Sequence, residues 1–85
     1  MNTIDIERDI RSFLIDNFLF GRAEELRDGE TLQGNVIDST GVLELVAYLQ
    51  DHFSISVADE EVGPDNLDSV DRIVAYVGRK LAAAA

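Results

Sequence analysis

The stretch Val36-Ile37-Asp38-Ser39-Thr40-Gly41-Val42-Leu43-Glu44-Leu45-Val46 marks the place where the chain changes character. Before it, from Arg22 to Ile37, helical periodicity is lost and Gly29, Gly34 and Asn35 appear, which indicates a loop longer than most within a small domain. Leu26, Leu32, Val36 and Ile37 are the residues able to pin such a loop to a core. After it, Val42, Leu45, Val46, Leu49 and Phe53 form an apolar stripe at helical spacing. The spacing predicts a helix from Asp38 to about Phe53, with the Asp38 carboxylate capping the free N–H groups of the first turn.

Working outward, Ile6, Ile10, Phe13 and Leu14 repeat at helical intervals among Asp5, Glu7, Arg8, Arg11 and Asp16, so an amphipathic helix precedes the loop. Gly21, after Phe18-Leu19-Phe20, is its expected stop. Downstream, Ser54 to Ala58 alternates like a strand but is too short to form a sheet alone, and it reads as a loop. Asp59 to Val62 fits one short helical turn, with Gly63-Pro64 expected to break it. Asp68 or Ser69 then caps a last helix whose core face is Val70, Ile73, Val74, Val77 and Leu81. The final alanines, 82–85, are helix-prone with nothing to bury, and are expected to fray. The fold class is all-α: a four-helix bundle of three longer helices and one short helix three, with a long loop between helices one and two, in a single domain spanning 1–85.

Composition narrows the function. With no cysteine, disulfides, thiolate metal sites and cysteine nucleophiles are excluded, and the cytoplasm is the default compartment. No stretch approaches the roughly 20 apolar residues of a membrane span. A net charge of −10 repels nucleic acid and anionic membranes and favours basic protein surfaces as partners. Serine catalysis at Ser39 would need a base, and His52, the one histidine, lies thirteen residues away on the same helix, about 20 Å of rise. A calcium loop starting at Asp65 fails because its sixth position is Val70 and its twelfth Tyr76, so no metal site is expected.

The order of elements, together with Asp38-Ser39 at a loop-to-helix junction, Phe53-x-Ile55, Asp59-Glu60-Glu61 and the closing helix, resembles the acyl carrier protein family over nearly the whole chain, from about Ile6 to Leu81. The resemblance implies a non-enzymatic, discrete carrier. Its cofactor would be 4′-phosphopantetheine, delivered from coenzyme A by a phosphopantetheinyl transferase and attached to Ser39, with acyl or aminoacyl cargo held as a thioester. It also implies that Asp38, Thr40, Gly41, Glu44 and Asp51 lie on a surface where the transferase and the loading and processing enzymes dock their basic patches on a monomer. Thr40 stands where the family usually has Leu, Gly41 where primary fatty acid carriers often have an acid, and Gln50-Asp51-His52 where an acidic run is typical. The Asp-Ser-Thr-Gly form is similar to specialised carriers, including those that accept amino acids, rather than to the carrier of primary fatty acid synthesis. A glycine inside a helix costs about 1 kcal/mol against alanine, so Gly41 suggests a close approach by the arm, the cargo or a partner. The competing reading is an unmodified acidic helical interaction module.

Overall fold

The computed structural model describes residues 2–27, 29–32, 34 and 36–84. Helix α1 spans Thr3–Phe18, α2 Ser39–Phe53, α3 Pro64–Leu67 and α4 Val70–Ala84, with single 3-10 turns at Ala23–Glu25 and Asp59–Glu61. Ile6, Ile10 and Leu14 of α1, Leu45, Leu49 and Phe53 of α2, Leu67 of α3, and Val70, Ile73, Val74 and Val77 of α4 fill one core. Each such side chain contributes roughly 2 kcal/mol of burial, most of which offsets the loss of chain entropy.

Helix α1 starts where Asn2 Oδ1 accepts the Asp5 N–H at 2.9 Å. Regular helix ends at Phe18, and the chain turns away through left-handed backbone at Phe20 and Gly21. The long loop is held as expected: Leu26, Leu32 and Ile37 are buried and Val36 is half-buried. Leu32 also donates its N–H to the Asp68 carbonyl at 2.7 Å, which fastens the loop to the start of α4.

Helix α2 begins at the residue after its Asp38 cap and ends at Phe53, with Ser54 left-handed. The connector that follows is a loop, and Gln50 Oε1 accepts the Val57 N–H at 3.0 Å to hold it. Gly63-Pro64 departs from expectation. Rather than only ending a turn, Pro64 occupies the first position of α3, where a missing N–H costs nothing and the fixed φ suits a helix. Of the two candidate caps for α4, Ser69 fills the role, its Oγ accepting the Arg72 N–H at 3.1 Å. Helical conformation continues through Ala84, with Ala82 and Ala83 exposed and Ala85 outside the described residues. Tyr76 joins the core although it lies off the expected stripe, because its hydroxyl finds Glu61 Oε1 at 3.1 Å.

That carboxylate oxygen is a hub, for it also accepts Lys80 Nζ at 2.9 Å and the Ala58 N–H at 3.0 Å. The Ala58 N–H, then the Lys80 ammonium and the Tyr76 hydroxyl, hold the Glu61 carboxyl below its ordinary range. A second clasp joins α1 to α2. His52 Nε2 lies 3.0 Å from Asp9 Oδ2, Tyr48 donates its hydroxyl to the Asp9 carbonyl at 3.0 Å, and the Phe13 and Tyr48 rings stack at 4.1 Å. Hydrogen bonding from His52, with Arg8 alongside, holds the Asp9 carboxyl below its ordinary range despite an opposing effect of burial.

Both carboxyls therefore bind protons less readily folded than unfolded. Their contribution is present at neutral pH, declines as the unfolded chain begins to take up protons near pH 4 to 5, and is gone below the folded values. Acid unfolding followed by circular dichroism should show a steep limb below about pH 4.5, made shallower in Glu61→Gln and Asp9→Asn. Identical acid limbs in both variants and the wild type would contradict this assignment.

Among the described residues, no helix is long and apolar enough to cross a membrane. No group of three or more His, Cys, Asp or Glu among them is placed to hold a metal ion.

Candidate functional site at the start of helix α2

Asp38 stands at the junction in extended backbone, and its Oδ1 accepts the Gly41 N–H at 2.7 Å. With that capping task taken by Asp38, Ser39 occupies the first helical position with its side chain exposed. The other Asp-Ser pair in the chain is arranged the opposite way: Ser69, after Asp68, is itself the cap and is buried.

Two depressions flank the junction. On one side, Ser39 borders an apolar groove of about 350 Å³ whose walls include Ile37, Val42 and Leu43 on the α2 side and Val62, Pro64 and Leu67 on the α3 side. On the other, Asp38, Thr40, Gly41 and Glu44 face Asn17 and Phe18 of α1 across an open cleft of about 450 Å³. Four of the five residues expected at a docking surface thus share one cleft. Asp51 is exposed but lies twelve residues beyond Ser39, about 18 Å along α2.

Gly41 needs a different explanation from the one its sequence context suggested. It is buried, and a Cβ there would come within 3.0 Å of Phe18 Cε1 and 3.1 Å of Ile37 Cβ. The close approach at Gly41 is therefore made by the chain's own α1 and loop. His52 is likewise engaged with Asp9, and Gln50 with Val57, so all three departures from an acidic helix two have partners inside the molecule.

Sequence reasoning passed over Leu43. It is 69% exposed, one turn after Ser39, and it lines the apolar groove. The available signal was its position off the stripe of Val42, Leu45, Val46, Leu49 and Phe53, where a solvent-facing residue would ordinarily be polar.

These residues fit a phosphopantetheine group. The Ser39 hydroxyl is exposed, an esterified phosphate there would sit near the positive end of the α2 dipole, and the adjoining groove offers an apolar wall. The Asp38 carboxylate already holds the Gly41 N–H, and its charge repels a phosphate placed beside it. The geometry accordingly favours a group that points outward over one folded into the cap.

No protein-family model matches the chain. A D-alanyl carrier protein of Streptococcus mutans serotype c is 28% identical over 71 residues, covering 84% of this chain and 89% of that protein. D-alanyl carrier proteins of Streptococcus pyogenes serotypes M5 and M1 are each 33% identical over 61 residues, covering 72% of this chain and 77% of theirs. With 28% to 33% of the matched residues identical to these relatives over most of its length, the chain belongs to the D-alanyl carrier proteins, a phosphopantetheine-binding, acyl-carrier-like family.

Proposed function

We propose that Ser39 is the attachment point of 4′-phosphopantetheine and that the chain carries an aminoacyl group on that arm, a D-alanyl group as its relatives' names state, in a specialised pathway separate from primary fatty acid synthesis. The observation that carries this reading is the division of labour at the junction: Asp38 caps the helix, which leaves the Ser39 hydroxyl exposed. When bound, the group supplies a thiol on a flexible tether, where an acyl group is held as a reactive thioester.

The chain's own residues present that tether. Carrier proteins are not themselves enzymes, and here the single histidine is already paired with Asp9 in the α1–α2 clasp. Partners are a phosphopantetheinyl transferase, a ligase that loads the amino acid, and an enzyme that takes it onward. Asp38, Thr40 and Glu44 offer polar contacts to basic patches on these enzymes, and Leu43 beside them offers an apolar one. A cytoplasmic location fits partners that use coenzyme A and ATP.

Intact mass spectrometry tests the reading in two stages. Incubation with coenzyme A and a phosphopantetheinyl transferase should add one arm, and subsequent incubation with a D-alanine-activating ligase, ATP and D-alanine should add one alanyl group that hydroxylamine removes. Failure to gain the arm would favour the unmodified interaction module. Gain of the arm followed by acceptance of malonyl groups in place of alanine would overturn the cargo assignment alone.

A further inference from the structure

Among the described residues, three large apolar side chains stand in solvent: Leu43 in the groove already described, Ile4 at the start of α1, and Phe20. Phe20 is the most exposed of them at 84%, and its backbone has a φ of 52°. For a bulky aromatic residue the left-handed region is uncommon and strained, and glycine would occupy it freely. The next residue is glycine, yet it does not stand at position 20.

The surrounding turn imposes this conformation. Gly21 donates its N–H to the Ile15 carbonyl at 3.1 Å. Leu19 is buried, and its carbonyl accepts both the Arg22 N–H at 2.9 Å and Arg22 Nε at 3.1 Å. The turn is thus fixed on both sides of a side chain that buries almost nothing. Strain of this kind persists where neighbours over-determine it, and it gathers at functional positions.

Its place in the fold says what it meets. Phe18 packs against Gly41, two residues past Ser39, and two residues of chain separate Phe18 from Phe20 by no more than about 7 Å. Phe20 therefore sits at the Ser39 end of the bundle. Within four residues of it along the chain the exposed charges are the acids Asp16 and Glu24 and the cation Arg22, which is paired with Glu25 at 2.9 Å, while Asp38 and Glu44 line the cleft with Phe18. An enzyme working on the thiol acts at the far end of a flexible arm. One working on the Ser39 hydroxyl must bring its body against this end of the bundle.

We propose that Phe20 is a docking anchor for the phosphopantetheinyl transferase, seating in an apolar socket surrounded by basic residues on that enzyme. The inference rests on Ser39 as the attachment site and extends the transferase footprint from α2 to the turn after α1. Aromatic anchors in a desolvated pocket are the residues that typically dominate such contacts.

The test uses the full chain in its apo form with coenzyme A and a transferase that modifies the wild type. Phe20→Gly relieves the backbone strain, so its melting temperature should equal or exceed that of the wild type. Its KM as substrate should rise about tenfold, with kcat changed less than about twofold. Phe20→Trp should restore the wild-type KM. Ile4→Ser removes a comparably exposed side chain about 21 Å of helix away from Phe18 and should leave KM unchanged. A rise of less than about threefold in Phe20→Gly, or an equal rise in Ile4→Ser, overturns the proposal while leaving Ser39 modified. Absence of any mass gain on the wild type removes the attachment site, and this proposal with it.

Discussion

Ser39→Ala is expected to take up no arm at all while folding as the wild type does. The substitution removes an exposed hydroxyl at the first helical position and leaves the Asp38 cap in place, so the change in stability should stay within about 0.5 kcal/mol. Ser12, Ser54 and Ser56 are exposed but lie in the middle of α1 or in the connector, where no helix begins. Ser69 is the informative control because it too follows an aspartate and sits at a helix start. Its Oγ is committed to the Arg72 N–H and its side chain is buried, so Ser69→Ala should lower stability by about 1 kcal/mol and leave arm attachment complete. Intact mass after transferase treatment, with thermal melts of both variants, checks the pair. A full mass gain in Ser39→Ala would remove the basis of the assignment.

Gly41→Leu is expected to damage both stability and modification. A Cβ at this position already meets Phe18 and Ile37 at 3.0 and 3.1 Å, and a leucine side chain must displace one of them. Overpacking of this kind costs about 1 to 3 kcal/mol. Leaving glycine in a helix returns somewhat less than 1 kcal/mol of that. A net loss of about 1 to 2 kcal/mol is a large share of what so small a domain holds. Urea denaturation should show a midpoint lower by about 1 to 2 M. Arm attachment should slow in parallel, because the displaced neighbours are the α1 terminus and the residue that leads into Asp38. Gly41→Ala, adding one methyl, should lie close to the wild type. Wild-type stability in Gly41→Leu would show that α1 and α2 are free to move apart there.

The same geometry shows where sequence reading succeeds and where it stops. The limits of α2 are legible because local chemistry sets them: an aspartate able to cap, then an apolar stripe ending at Phe53. The pinning of the loop by Leu26, Leu32 and Ile37 is legible for a similar reason, since apolar residues in a polar segment have few places to go. Pro64 misleads because proline stops one helix and starts another equally well, and only the path of the backbone separates the two. Tyr76 and His52 are beyond reach for a different reason. Their partners, Glu61 and Asp9, lie 15 and 43 residues away, and no periodicity reports such pairs. Gly41, Gln50 and His52 show how this affects a functional reading. From the sequence they register as missing negative charge on a docking helix, whereas in the fold each fills an internal contact. Restoring acids at 41 and 52 would therefore press a carboxylate against Phe18 and set another against Asp9, so partner choice is better probed at Leu43 and Glu44.

The Glu61 hub has a mechanical consequence for the groove beside Ser39. Its single oxygen joins Ala58 to Tyr76 and Lys80, while Arg72 Nη1 donates to the Pro64 carbonyl at 3.0 Å and Arg79 Nη2 to Asn66 Oδ1 at 3.0 Å. The wall made of Val62, Pro64 and Leu67 is thereby bolted to α4 at several points and forms one jaw of the groove. The opposite jaw, Val42 and Leu43, belongs to α2, which α4 touches far more sparsely than it touches α1. The groove is a vice with one fixed side, and its width records the position of the helix that bears Ser39.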